Sequence, residues 1–108
     1  MEYLANYKEL KVWQKSMDLV EIVYKFTTAF PKEEMYGLTS QLRRASLSVP
    51  VNIAEGHARN TTGEFLQFLG IAKGSLAELE TLLELSQRLN YLKKENSEIL
   101  LMNSTEIS

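Results

Sequence analysis

The chain has 108 residues, of which 44% are hydrophobic and 24% are charged, with two prolines, five glycines and no cysteine. This length supports one hydrophobic core, so we predict a single domain over residues 1–108. Without cysteine there are no disulfides, thiolate nucleophiles or cysteine-ligated metals, and no apolar run is long enough to span a bilayer. The N-terminus also lacks the basic segment followed by an apolar segment that is typical of a secretion signal, so we expect a cytoplasmic protein without a membrane partner.

The first predicted helix runs from about Lys8 to Thr28 and ends before Pro31, because a proline forces the preceding residue out of the helical region. Apolar residues recur there at steps of 3 and 4, which is the spacing of one helical stripe: Leu10, Trp13, Met17, Val20 and Tyr24. A second apolar line flanks this stripe: Val12, Leu19, Val23, Phe26 and Phe30. The helix should therefore contact neighbours over more than half its circumference.

The second predicted helix begins near Leu38 and carries two apolar stripes. The main stripe should face the core and consists of Leu38, Leu42, Ala45, Val49 and Ile53. The other is predicted to be an oligomer interface and consists of Leu47, Val51, Ala54 and Ala58. Pro50 predicts a bend or a break, since it removes an amide donor and crowds the carbonyl four residues back. Gly56 marks either the helix end or a close contact.

Two further helices follow. Thr61 and Glu64 match a capping box that opens a helix over about Thr62 to Leu89, in which Gly70 and Gly74 predict the close approach of another helix. A last helix of about 15 residues is too short to cover its long neighbour. The fold class is therefore all-α, an antiparallel up-down-up-down four-helix bundle with a proline-bent helix 2 and a short helix 4.

The sequence argues against catalysis. Its one histidine, His57, has no partner that the spacing implies, and no Glu-x-x-His pair of the kind used by di-metal bundles is present. Phosphate-binding glycine motifs are also absent. We expect a protein that is not an enzyme, with no catalytic residue, no metal, no cofactor and no small-molecule substrate.

Asn52 and Glu55 follow Pro50 and could form a small polar site with Arg59. The alternative, which we favour, is that Asn52 and Glu55 satisfy backbone groups loosened by Pro50 and Gly56. A row of aromatic residues at helical spacing is interpreted as core or interface before it is interpreted as a base-stacking platform: Trp13, Tyr24, Phe65 and Phe68.

The net charge of −2 is unevenly distributed. Residues 1–59 hold eight Lys/Arg against seven Asp/Glu, and residues 60–108 hold four against seven, which gives +1 and −3. Six basic residues of the first half are candidates for nucleic-acid or inter-subunit contacts: Lys8, Lys11, Lys15, Arg43, Arg44 and Arg59. Arg43 and Arg44 could bind phosphates, or they could pair with Glu78, Glu80 or Glu84 of the same or another subunit. The slightly acidic total favours pairing.

The stretch Y-G-L-T-S-Q-L-R-R-A-S-L-S-V-P-V-N-I-A-E-G at residues 36–56 closely resembles the bacterial four-helix-bundle proteins encoded by 23S ribosomal RNA intervening sequences. L-K-V-W-Q-K-S-M-D-L-V and F-L-Q-F-L-G-I-A-K-G-S-L-A-E-L-E-T-L-L-E-L extend the resemblance over nearly the whole chain. It implies a bundle that assembles into a ring, with a pentamer expected, and without known catalytic activity. More distantly, the chain is similar to accessory proteins of diversity-generating retroelements, which work with a reverse transcriptase and RNA.

Two departures from these relatives matter for function. The fourth helix is short, and the net charge is slightly acidic where the retroelement accessory proteins look strongly basic. The first hypothesis is a homo-oligomeric scaffold or accessory protein. The second is a nucleic-acid-binding accessory subunit that works with RNA, DNA or a reverse transcriptase.

Overall fold

The structure is a computed structural model that describes residues 6–107. Within that range the chain forms four α-helices: α1 (Lys11–Thr27), α2 (Leu38–His57), α3 (Thr62–Arg88) and α4 (Lys94–Ile107). Each helix contacts two others, in the cycle α1–α2–α3–α4–α1, so the four enclose a common core. The prediction of an all-α four-helix bundle is confirmed. None of the helices in residues 6–107 combines the length and apolar character needed to cross a membrane.

The start of α1 and its buried face differ from the prediction. Residues Tyr7–Glu9 form a 3₁₀ turn and Leu10 is extended, so the α-helix begins at Lys11 rather than near Lys8. The most deeply buried apolar residues of α1, Leu19 and Val23, belong to the apolar line that was predicted to flank the main stripe. Because α1 packs against both α2 and α4, the middle of its wide apolar arc faces the core and one border stays exposed.

Helix α2 runs without a break through Pro50, so of the two predicted outcomes at this proline a break is excluded. Its main stripe is buried as predicted, with Leu42 and Val49 inaccessible to solvent. Gly56 lies inside the helix against α3, and a Cβ built there would come within 2.7 Å of Phe68 Cβ and 3.2 Å of the Phe65 carbonyl oxygen. Gly56 is therefore the close contact between α2 and α3 and not the helix end.

Helix α3 begins with the predicted cap in a modified form. The Glu64 amide donates to Thr61 Oγ1 (3.1 Å), but the Glu64 carboxylate accepts from the Thr61 hydroxyl (3.2 Å) and not from the Thr61 amide. Gly70 and Gly74 have open space where a Cβ would lie. The prediction that these two glycines permit a close helix contact is therefore wrong within one copy of the chain, because they lie on the outer side of α3.

Helix α4 is short, as predicted, and leaves one end of α3 uncovered. Ser104 Oγ donates to Glu80 Oε2 (2.7 Å), which places the last turns of α4 beside the middle of α3. Beyond that level Leu66 is exposed, and a largely apolar cavity of about 290 Å³ is lined by residues of all four helices, including Ile53, Leu69 and Ile107. The core is consequently less complete at this end of the bundle.

The opposite end of the bundle is held by a turn and one carboxylate. Asn90, with φ of 63°, closes α3 in a Schellman arrangement in which the Tyr91 amide donates to the Ser86 carbonyl (2.9 Å). The Tyr91 hydroxyl donates to Glu34 Oε2 (3.1 Å), and Glu34 Oε1 accepts from the Leu38 amide at the start of α2 (3.0 Å). The hydrogen bond to Glu34 is the main cause that raises the pKa of Tyr91 above 10.0.

A methyl group at Gly56 should destabilise the fold. Gly56→Ala gains helix propensity of about 1 kcal/mol, but its Cβ meets the Phe68 Cβ and the Phe65 backbone, and overpacking of this kind costs about 1–3 kcal/mol. We expect a net loss of up to about 2 kcal/mol in urea unfolding at fixed protein concentration. Gly63→Ala, which has open space around its Cβ, is the control, and equal unfolding midpoints for both variants would contradict the assigned contact.

The ionisation of Tyr91 should be displaced to higher pH by its contact with Glu34. Because its folded pKa is raised, the neutral phenol is favoured, and its stabilising contribution is present below pH 10 and lost as the pH rises through the folded pKa. Absorbance at 295 nm should show a late ionisation step that Tyr91→Phe and Glu34→Gln both remove. Tyr36→Phe, at the most exposed tyrosine of the described chain, should leave that step in place.

Candidate assembly surface and basic residues

A set of exposed apolar side chains borders the seam between α1 and α2. Met17 and Tyr24 on α1 and Leu47 and Val51 on α2 have exposed fractions of 36–50%. The Arg43 guanidinium lies over the Tyr24 ring at 4.6 Å, which places this side of α2 beside this side of α1. Leu47 is one helical turn from Arg43, and Met17 is two turns from Tyr24. We call this surface the outer α1–α2 face.

The four residues predicted from the sequence as an interface all belong to this surface. Leu47, Val51, Ala54 and Ala58, hereafter the α2 stripe, are exposed or half-buried on the side of α2 away from the core. On the same helix Leu42 and Val49 are fully buried. The single copy therefore satisfies one of the two apolar stripes of α2 and leaves the other in solvent.

Arg43 is held within its own chain, and not by the glutamates that the sequence suggested. Its Nε donates to Thr27 Oγ1 (2.9 Å) and its Nη2 to the Tyr24 carbonyl (3.5 Å). Glu80 instead accepts from Ser104, and Glu84 pairs with Arg88 at 3.1 Å. The predicted pairing of Arg43 with these glutamates is wrong for the same subunit, because Arg43 points to the α1 side of α2 and the glutamates lie on α3.

The remaining basic residues have varied surroundings. Lys15 Nζ pairs with Glu106 Oε1 at 3.6 Å, and the Arg59 guanidinium lies 4.8 Å from the centre of the Phe68 ring. Arg44 is exposed and lines a shallow depression together with Glu78, without an ion pair within 4 Å in the described chain. Arg44 is thus the arginine of α2 that is available to another molecule.

The six basic candidates do not form one patch. Lys8 lies in the 3₁₀ turn before α1 and Lys11 is the first residue of α1, whereas Arg43 contacts Tyr24 and Thr27 near the other end of α1. The 17 residues from Lys11 to Thr27 span about 24 Å of helix. Positive charge is therefore divided between the two ends of the bundle.

The predicted polar site after Pro50 is arranged differently. Asn52 Nδ2 donates to the Ser48 carbonyl (2.8 Å) and to Ser48 Oγ (2.9 Å), and Ser75 Oγ on α3 donates to the same Ser48 Oγ (2.8 Å). Glu55 is exposed and Arg59 lies over Phe68, so no hydrogen bond joins them to Asn52 within residues 6–107. Asn52 satisfies a backbone carbonyl, although not the Ser46 carbonyl that faces Pro50. The link to Ser75 was missed, and a serine within an apolar line of α3 was its signal.

His57 makes a ring contact instead of a polar one. Its imidazole centre lies 5.9 Å from that of Phe65 in an edge-on arrangement. In the part of the chain that the structure describes, no three residues of the metal-binding types lie together so as to hold an ion.

The fold and the exposed α2 stripe define a small helical-bundle protein in which an apolar stripe of α2 is left exposed in a single copy. The sequence model of the 23S rRNA-intervening sequence protein family matches residues 8–108, so the chain belongs to that family. A solved structure of a protein of unknown function from the S23 ribosomal protein family of Bacteroides thetaiotaomicron is similar, with 29% identity and a TM-score of 0.79. The similarity covers 89% of this chain and 90% of that one. No curated protein matches the sequence.

Loss of the Arg43 guanidinium should weaken the α1–α2 seam. Arg43→Gln removes the hydrogen bond to Thr27 and the contact with the Tyr24 ring, and hydrogen bonds to charged groups contribute about 1.5–3 kcal/mol each. Since Arg43 is partly exposed, we expect a loss of about 1–2 kcal/mol in urea unfolding at fixed concentration. Lys93→Gln removes an exposed positive charge in the α3–α4 turn and should change stability by less than about 0.5 kcal/mol. Equal losses in the two variants would show that the Arg43 contacts contribute nothing.

Proposed function

We propose that this protein is a non-enzymatic scaffold or accessory subunit that assembles with copies of itself through the α2 stripe. The observation that carries the proposal is the exposure of Leu47 and Val51, at 40% and 50%, on a helix whose other apolar stripe is buried. Soluble proteins seldom expose contiguous apolar side chains unless another molecule covers them. Met17 and Tyr24 extend the exposed surface across the seam, which enlarges the area that a second copy can bury.

The family membership supports the form of the assembly. The resemblance to 23S rRNA intervening-sequence proteins implies a ring, and we propose a pentamer as the number of copies. Neither the family description nor that of the solved relative names a catalytic activity. A scaffold or accessory protein acts through the surface of its assembly and needs no reacting group. The polar contacts described above, such as the hydrogen bonds of Asn52 and Arg43, are consistent with this role because they join helices or satisfy backbone groups.

A charged residue in the α2 stripe should prevent assembly without unfolding the bundle. Val51→Asp adds a carboxylate to a half-exposed site, so the monomer tolerates it, but an interface would have to bury it unpaired. Light scattering after size exclusion should give a mass several times 12.4 kDa for the unaltered protein and 12.4 kDa for the variant, with unchanged helical circular dichroism. Met102→Asp, at a more exposed apolar residue of α4, is the matched control and should keep the assembled mass.

Two results would refute self-assembly through this face. One is a mass of 12.4 kDa for the unaltered protein at micromolar and higher concentrations. The other is an assembled mass that Val51→Asp leaves unchanged.

The second candidate function, a nucleic-acid-binding accessory subunit, has narrower support. The exposed residues Lys8 and Lys11 lie at the same end of the bundle as Arg59, since the 3₁₀ turn at Tyr7–Glu9 contacts α2. Affinity for RNA based on these charges should fall steeply with salt. A gel-shift titration at low salt should show binding that Lys8→Gln with Lys11→Gln weakens, and no shift at any protein concentration would exclude this function.

A further inference from the structure

The outer side of α3 carries four small residues in line that nothing in the described chain covers. Gly70, Gly74, Ala77 and Thr81, hereafter the α3 stripe, are all exposed. A Cβ built on either glycine meets no atom within 4 Å. Glycine is the poorest helix former after proline. The packing of one copy therefore gives no reason for two glycines in the middle of this helix.

The α2 stripe and the α3 stripe have matching patterns. From Leu47 to Ala58 the α2 residues are separated by 4, 3 and 4 positions, and from Thr81 back to Gly70 the α3 residues have the same separations. Two helices with this alternation can pack antiparallel in successive layers, each with one residue from either helix. Leu47 then lies opposite Thr81, and Ala58 lies opposite Gly70.

The sizes of the opposed residues fit a close contact. The larger residues of the α2 stripe, Leu47 and Val51, meet Thr81 and Ala77, which leave room for a branched side chain. At the other end alanines meet glycines, which lets the two helix axes approach to the lower end of the usual range of about 8–10 Å. Contact between two copies thus explains the two glycines that the packing of one copy does not.

The next layer in the same register pairs opposite charges. Three positions before Leu47 is Arg44, and three positions after Thr81 is Glu84. Both side chains are exposed, and Arg44 makes no ion pair within residues 6–107. Glu84 pairs with Arg88 on the surface of α3, at 3.1 Å, and its second oxygen can accept from another donor. The pair of opposite charges therefore extends the apolar register by one layer and favours the antiparallel direction.

We infer that the α2 stripe of one copy packs antiparallel on the α3 stripe of a second copy in this register, with Arg44 of the first beside Glu84 of the second. The inference rests on the proposed self-assembly and names its two contacting faces. Because the two contacting faces differ, each copy offers one α2 stripe and one α3 stripe. In an assembly of finite size, every stripe finds a partner only if the copies close into a ring. Copies that stand side by side and point the same way keep α2 and α3 antiparallel between neighbours.

Paired cysteines test the register, and the chain has no cysteine of its own. Ala54→Cys combined with Gly74→Cys opposes two thiols between copies, so oxidation should give a ladder of covalent multiples of 12.4 kDa on a denaturing gel. Each single variant should give no cross-link, since its cysteine faces no other. Ala58→Cys combined with Gly74→Cys is four residues out of register, about 6 Å, and should also give none. Cross-linking of the Ala54→Cys single variant would overturn the inference, because it requires α2 to meet α2.

Mixing two assembly-deficient variants tests the pairing of unlike faces. Val51→Asp blocks the α2 stripe and Gly74→Trp blocks the α3 stripe, so each alone should have the monomer mass of 12.4 kDa. In a mixture the intact α2 stripe of the Gly74→Trp copy can bind the intact α3 stripe of the Val51→Asp copy, which should give a dimer that grows no further. Met102→Trp, on exposed α4, is the control for a bulky surface substitution and should keep the assembled mass.

The failure of this inference differs from the failure of the proposed function. A monomeric unaltered protein refutes both. An assembled protein whose mass Gly74→Trp leaves unchanged, and which gives no cross-linked ladder from the Ala54→Cys and Gly74→Cys pair, refutes the α2–α3 register alone and leaves self-assembly through another face.

Discussion

The structure depends on how closely α2 and α3 approach at Gly56. With no side chain there, the backbone of α2 reaches Phe65 and Phe68 of α3, and the hydrogen bond between Ser75 and Ser48 continues the contact along the same seam. This pairing directs Leu42, Val49 and Ile53 into the core. It also fixes the rotation of α2 about its own axis, so the α2 stripe faces outward from the bundle.

That rotation explains why one apolar stripe of α2 is buried and the other is exposed. A helix in a four-helix bundle needs one apolar stripe to face the core, but α2 has two. The residues of the second stripe lie on the side of α2 that the bundle leaves open, so they stay exposed. The contacts of Arg43 with Tyr24 and Thr27 hold α1 at the edge of this open side. Arg44, one residue later, points away from these partners and stays available. Adjacent arginines thus serve the seam and the surface separately.

Much of the fold follows from local rules that act within a few residues. Pro31 and Asn90 end helices, Thr61 begins one, and the 3-and-4 spacing identifies the buried face of α2. What the spacing misses depends on neighbours. The deepest face of α1 was assigned one stripe away, because its arc is apolar throughout and only contact with both α2 and α4 selects the centre. Gly56 and Gly74 look alike in sequence, yet within one copy a Cβ on Gly56 would meet a neighbouring helix and a Cβ on Gly74 would meet no atom within 4 Å.

The candidate surface shows the same limit. The α2 stripe was predicted from its spacing and is exposed. The partners of Arg43 could not be predicted in this way, since Thr27 is 16 residues away along the chain and contacts Arg43 only in the folded bundle. Whether a second copy covers the stripe is measured most directly by hydroxyl-radical oxidation of the assembled protein, read at Met17 and Met102. We predict strong protection of Met17, which borders the α2 stripe, while Met102 oxidises freely. Oxidation of both in proportion to their exposed fractions in one copy, 37% and 66%, would contradict it.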